Sequence, residues 1–376
     1  MDIETSDRPP LRFNLEEFSG AVGDYVTFIP IALAVSLVLD INFGYIILFY
    51  CIWSVITGFY YRIPIPIEPM KAIGTLVIVG GISKGEVVAS GLILGILFLS
   101  TGIFNGMKFI QEKVPNSVVR GIQLGLALLL FQTSLGFVST DLILSLVCII
   151  IIILFFLANR LRKVPNISAI LVLILGVIIG LLVSGVPPIT FLPLPSVTLP
   201  TYQNLISGTW TLVLPQIPLT ITNAILATSL LLKDLYKVDV KPDCLSKTIG
   251  LMNLTSVPFG GFPMCHGAGS LAADYRFGAR TGGANIISGL MILPVALFFA
   301  GPQFVQIIPL GIFGALLIFI AIELAKNSLK TDSYLVTILI AVLSLTVNIT
   351  LGFVVGLVVA YILEWRKKKS GSLNKN

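Results

Sequence analysis

Long apolar runs, separated by short polar or proline-rich breaks, fill almost the whole chain. They fall at about 18–39, 43–61, 65–81, 86–107, 116–138, 140–158 and 167–185, then at 208–232, 245–258, 264–275, 283–301, 307–325, 332–348 and 350–365. Several approach or exceed the ~20 residues that cross a bilayer as a helix, whereas 65–81, 245–258 and 264–275 are short. The pattern predicts an all-α multi-pass membrane protein of about fourteen transmembrane segments. A polar N-terminal segment (1–17) precedes a first block of seven (18–185). The proline-rich connection VPPITFLPLPSVTLPTYQNLI (186–206) leads to a second block of seven (207–365) and a basic tail (366–376).

Two breaks differ from ordinary loops. PIPIEPMKAIG (64–74) and VPFGGFPMCHGAG (257–269) lie between apolar stretches, at membrane depth, yet carry prolines and polar side chains. Hydrocarbon tolerates irregular backbone only where protein or a water-filled cavity covers it. Each is expected to run extended, reach a proline (Pro69, Pro263), and continue through Met into a helix. Proline suits a first helical turn. Segments 3 and 10 would then start with free N–H groups inside the membrane, and two such ends facing each other form an anion site.

Composition agrees with the pattern. The chain is 56% hydrophobic and 11% charged, with mean hydropathy +1.00, against roughly 25% charged residues in soluble domains. The net charge of +6 informs orientation, not nucleic-acid binding. With the N-terminus inside, the cytoplasmic connections and ends collect 21 of the 24 Lys and Arg residues; Lys84 falls outside, and Lys71 and Arg120 lie within or border the membrane. Both termini are therefore expected in the cytoplasm. Cys51, Cys148, Cys244 and Cys265 form no CxxC pair, so neither a metal site nor a disulfide framework is expected. The acidic N-terminus lacks the basic region of a cleavable signal.

The halves resemble each other. Pro69 and Pro263 are 194 residues apart, as are Pro115 and Pro309; FIPIALA (28–34) matches QIPLTIT (216–222) at an offset of 188. Seven is odd, so a second copy would enter from the opposite side. Inverted repeats with interrupted helices near the midplane mark secondary transporters.

Lys71, in the first turn of segment 3, needs a partner because an ammonium at membrane depth costs about 2.5–3.5 kcal/mol. It is either an anion ligand or the structural mate of Glu68, three residues earlier. His266, the sole histidine, either takes up a proton near neutral pH or is a hydrogen-bonded structural residue. Gly267 lets backbone approach a ligand. Ser19, Asp24 and Thr27 interrupt the first segment; Asp24 is an ion or proton site or an interfacial residue. Thr222 and Asn223 interrupt the eighth, as neutral donors to an oxyanion or as interhelical hydrogen bonds. Arg120 reads as a snorkelling side chain.

At these residues the sequence resembles a family. PIPIEPMKAIG is similar to the PxPVQPMKxIA signature of the molybdate transporters related to the SulP sulfate permeases. FPMCHGAGSLAADYRFGARTGG resembles their MPxCHGAGGLAxQYxFGARTG block. EFSGAVGDYVTFIPI and QIPLTITNAILA are similar to the family's first and eighth segments. The resemblance implies a seven-plus-seven inverted repeat with core and gate domains and an oxyanion site between segments 3 and 10. Glu68 departs from the usual Gln, Ser270 from a Gly, Asp274 from a Gln, and Tyr25–Val26 from an LG pair. About eleven residues follow segment 14, so no STAS domain is expected.

The resulting expectation is a cell-membrane transporter taking up molybdate by proton-coupled alternating access, with no cofactor and no enzymatic activity. Pro69, Met70, Lys71, Ala72, Met264, Cys265, His266, Gly267, Thr27, Ser19, Thr222 and Asn223 would bind the substrate. Glu68, His266 and Asp24 are the proton-carrier candidates. Sulfate is the alternative substrate. A nucleobase–cation symporter would place acidic residues in segments 8 and 10, and a thiol hydrolase would pair Cys265 with His266. The expected partners are the oxyanion, protons and the lipid bilayer; a homodimer is open, and nucleic acid is not expected.

Overall fold

The apolar stretches fold mainly as helix, with short extended runs at 67–69 and 264–266, in the computed structural model, which describes residues 9–39, 41–107, 115–162 and 167–373. Arg8, Lys108, Lys113, Lys163 and Lys375, used in the charge count, and residues 1–8 of the N-terminal segment lie outside the described residues.

The first block contains α1 (Leu15–Gly23), α2 (Tyr25–Leu39), α3 (Phe43–Tyr61), the short strand β1 (Ile67–Pro69) and α4 (Lys71–Val79). It continues with α5 (Lys84–Ile103), α6 (Asn116–Val138), α7 (Leu142–Arg162) and α8 (Ser168–Ser184). After the connection come α9 (Tyr202–Tyr236), α10 (Pro242–Ser256), strand β2 (Met264–His266) and α11 (Ala268–Phe277). The chain closes with α12 (Gly283–Phe298), α13 (Leu310–Ser328), α14 (Tyr334–Thr346) and α15 (Ile349–Leu373). Among the described residues, five helices are long and apolar enough to cross a membrane, or six if the pair Leu15–Gly23 and Thr27–Leu39, bent by 42° across residues 24–26, counts as one span. Leu142–Ala158 within α7, with α8, α12 and α14, form shorter apolar helices of 10–17 residues.

Local chemistry explains the boundaries. Asn42 caps α3 by accepting from the Gly44 amide, and Ser83 with Glu86 forms a reciprocal capping box on α5. Pro242 occupies the first turn of α10. Pro215 and Pro218 sit inside α9 without breaking it, because widened π-helical turns run through Thr209–Val213 and Thr220–Ala227. The helix starts at Tyr202, so the last residues of the expected connection are helical. The extended part of that connection is held to the end of α12, with Thr190 donating to Phe298 and Leu192 to Leu297.

Helices of the two blocks interlock: α3 packs on α12, α5 on α10, and α6 on α13. Small residues permit the close approach that membrane helices need. A methyl on Gly121 of α6 would lie 2.7 Å from Ile340 of α14, and one on Gly95 of α5 would lie 2.9 Å from Leu254 of α10.

The expected helix start in segment 10 needs correction. After Pro263 the chain stays extended through Met264–His266, and α11 begins only at Ala268. Pairing with β1 satisfies this backbone as strand. The register is antiparallel, Ile67 opposite His266, Glu68 opposite Cys265 and Pro69 opposite Met264. Buried Ile63, Ile65, Ile67 and Phe262 surround the ribbon.

Candidate functional site

The ribbon places two prolines and a carboxylate in the protein interior. Met70 donates to the Pro263 carbonyl (2.8 Å), so Pro263 serves as an acceptor, and its missing N–H goes unused. Asn253 of α10 continues the ladder, accepting from the Met264 amide (3.0 Å) and donating to its carbonyl (2.8 Å). Asn285 of α12 does the same for Ile65, at 3.0 and 2.6 Å. At the start of α4, the Gln216 side chain of α9 accepts from the Ala72 amide (2.9 Å) and the Ile73 amide (3.4 Å), and it donates to Thr220 (2.9 Å). Unpaired polar backbone in such a place costs about 1–3 kcal/mol per group.

These clamps change which donors an anion can meet. Pro69 has no N–H, and the amides of Met70, Ala72 and Met264 are already engaged. Those four residues have no free amide to offer. Directly opposed residues on paired strands share a face, so Glu68 and Cys265 lie together, while Met264 and His266 face the other way. His266 is fully buried, its Nε2 2.7 Å from the Thr248 hydroxyl and its Nδ1 3.2 Å from the Pro66 carbonyl. Tyr61 meets it edge-on. Both ring nitrogens therefore hold α10 to the first extended stretch, on the side away from Glu68. This geometry also separates Cys265 from His266 as a nucleophile–base pair.

On the Glu68 face the polar groups converge. Lys71 Nζ lies 2.6 Å from Glu68 Oε2, with the Glu68 side chain 1% exposed and that of Lys71 21% exposed. Thr27 of α2 donates to Glu68 Oε1 (3.3 Å), and Ser270 of α11 donates to the same oxygen. Thr27 and Ser270 also touch each other at 3.1 Å. Gly267 lies against this carboxylate so closely that a β-carbon would overlap it. The first turn of α11 stands next to it. Space opens beside Gly269, where nothing lies within 4 Å of an added β-carbon, and the residue is exposed. A carboxylate thus occupies a nest made of one ammonium, two hydroxyls and a glycine at a helix start, the donor set an oxyanion requires.

The structure brings Thr27, Lys71, Cys265 and Gly267 together around Glu68, with Ser270 as an added member. The middle of α9, with Thr222 and Asn223, packs against β2 and the start of α11. The Thr222 hydroxyl donates to the Pro218 carbonyl, and no described hydrogen bond links Ser19, Thr222 or Asn223 to Glu68. Asp24 lies outside this nest, one turn before Thr27 in the first segment. Gln216, Asn253 and Asn285 were missed as site-builders. Their signal was an amide side chain inside an otherwise apolar helix. No group of three or more His, Cys, Asp or Glu side chains fit for a metal occurs among the described residues.

Comparison with known proteins points the same way. A family model described as molybdate transporter of MFS superfamily matches residues 16–130 and 208–324. Molybdate transporter 1 of Arabidopsis thaliana is 31% identical over 84% of this chain and 80% of its own length, and molybdate transporter 2 of the same plant is 32% identical over 86% and 81%. Among solved structures, the transmembrane domain of the cyanobacterium bicarbonate transporter BicA superposes with a TM-score of 0.66 at 17% identity, covering 93% of this chain and 98% of that one. The murine solute carrier 26 family member A9 superposes with a TM-score of 0.69 at 14% identity, covering 96% and 70%. At such identities the structural likeness speaks for the fold alone, which is that of a membrane transporter.

Proposed function

We propose that this chain, which belongs to the molybdate transporter family, carries molybdate or a closely similar tetrahedral oxyanion across the cell membrane by alternating access. It is a transporter rather than an enzyme. One observation carries the reading of the site: Glu68 places its own carboxylate among Lys71, Thr27, Ser270 and Gly267, so the nest already stabilises an anionic group. Substrate would enter from the opening at Gly269, meet the first turn of α11 and take over Lys71.

Two negative groups cannot share one ammonium at close range in a buried site. Glu68 must therefore accept a proton or swing away when the oxyanion binds. That exchange supplies a coupling: the proton arrives with the substrate. Moving a dianion into an inside-negative compartment at 100 mV costs about 4.6 kcal/mol, at about 2.3 per charge, so at least two protons would accompany net accumulation.

The fourteen-segment inverted repeat belongs to the same proposal. The constant proline offset supports it, as do the two matched family blocks, whose ends lie 192 and 194 residues apart, and the reciprocal packing of α3 on α12 and α5 on α10. Both termini would be cytoplasmic. Sulfate differs from molybdate chiefly in size and is the competing substrate. Binding of molybdate, tungstate, sulfate and uracil to purified protein tests the assignment. Tungstate should track molybdate, uracil should be silent, and Lys71→Ala should weaken oxyanion binding at least tenfold, about 1.4 kcal/mol. Unchanged binding by Lys71→Ala would move the site elsewhere.

A further inference from the structure

One turn from the Glu68 nest, a second polar contact joins the same two elements. Thr27 meets Ser270 across the interface between the first segment and α11. Three residues before Thr27 stands Asp24, and four after Ser270 stands Asp274; residues at these spacings share a helix face. The two carboxyl groups lie within hydrogen-bonding reach of each other. They are 2% and 1% exposed, and neither Asp24 Oδ1 nor Asp274 Oδ1 receives a hydrogen bond from any other described group. The packing leaves no slack, since a methyl on Gly23 would fall 2.7 Å from Asp274 Oδ1.

Among the described side chains, none supplies a counter-charge. From α3, Tyr50 offers its hydroxyl to Asp24 Oδ2 at 3.4 Å and is itself 2.5 Å from Ser288 Oγ of α12. From α9, the buried Tyr236 hydroxyl has no described partner, and its ring meets edge-on that of Tyr275, the residue after Asp274. Glu17 of α1 and Glu68 of β1 add negative charge nearby. Arg280 donates to the carbonyls of Tyr275 and Ala279 and stacks on the Tyr275 ring at 3.8 Å. No described Lys or Arg side chain pairs with either aspartate. Two carboxylates in contact in a dry interior cannot both remain ionised; one proton bridges them.

We propose that Asp24 and Asp274 form one proton-holding carboxyl pair, a transport proton site separate from the oxyanion nest and one helical turn from it. It rests on the transport reading above for its role, though not for its existence. The bridging proton enters and leaves as a bare proton exchanged with water on one side of the membrane and then the other; no other group is altered. The bent junction at Asp24 sets the distance between the partners, so a change in that bend would alter how tightly the proton is held. Sequence reading singled out Asp24 alone. Asp274 stands out in the sequence only as a departure from the family's Gln.

Two measurements on the full-length protein test this. In infrared difference spectra at neutral pH, the wild type should show a protonated-carboxyl band that Asp24→Asn and Asp274→Asn each remove or shift, with or without molybdate. In proteoliposomes carrying a pH dye, Asp274→Asn should bind molybdate within about threefold of wild type yet lose one proton per substrate. At 100 mV that proton supports about 50-fold accumulation (about 2.3 kcal/mol). A wild type without the band, or a band untouched by both substitutions, overturns the pair while leaving oxyanion transport standing. Asp274→Asn with undiminished proton flux overturns its transport role. A normal band in a protein that binds no oxyanion sinks the transport reading and leaves the carboxyl pair.

Discussion

Neutralising Glu68 without changing its size is the sharpest perturbation of the nest. In Glu68→Gln the amide can still accept from Thr27 and Ser270, but Lys71 loses its partner at 2.6 Å. At an effective dielectric of about 20, that contact represents a Coulomb attraction of about 6 kcal/mol. Lys71 recovers part of it from water, because its side chain is 21% exposed. An arriving dianion then finds an unpaired ammonium and no competing carboxylate. In the wild type the same binding must protonate or expel Glu68, at about 1.4 kcal/mol for each pH unit against it. Each such unit is returned as affinity when the carboxylate is absent, so Glu68→Gln should bind molybdate at least about tenfold more tightly at neutral pH. The sign of the pH effect follows. If binding takes up a proton, wild-type affinity falls as pH rises, by up to about tenfold per unit, whereas the variant's affinity stays flat. Uphill uptake should fail in the variant, because one coupled proton is gone. Calorimetric titration with molybdate between pH 5 and 8, beside uptake into proteoliposomes, reads all three effects. A pH-independent wild type together with weaker binding by Glu68→Gln would refute the exchange.

Gly267→Ala forces a β-carbon into the Glu68 carboxylate. It should lower stability by about 1–3 kcal/mol, and adding Glu68→Ala should recover most of that loss, a coupling that a double-mutant cycle of thermal unfolding detects. Asn253→Ala strips both partners from Met264 and leaves its buried N–H and C=O unpaired, at about 1–3 kcal/mol each. The expected result is a lower unfolding temperature and a weakened oxyanion site, even though Asn253 does not touch the nest; unchanged binding would show that the ribbon does not position Glu68.

What the sequence determined by itself was the one-dimensional part of the problem. Apolar runs set the helices, since hydrocarbon admits few other backbones, and α3 and α6 fall at 43–61 and 116–138 as the pattern requires. Proline and polar side chains at membrane depth marked 64–74 and 257–269 as the candidate site, because both are costly there unless something answers them. Which groups answer was decided by the fold. Strand pairing turned Met264 and His266 away from Glu68, and alternation along three residues can be placed only once a register is known. Gln216 and Asn253 took the Ala72 and Met264 amides that local reasoning had offered to an anion. The contact of Asp24 with Asp274, 250 residues apart, arises where the first segment crosses α11. No local pattern encodes such a meeting; only the packing of distant helices brings those carboxyl groups together.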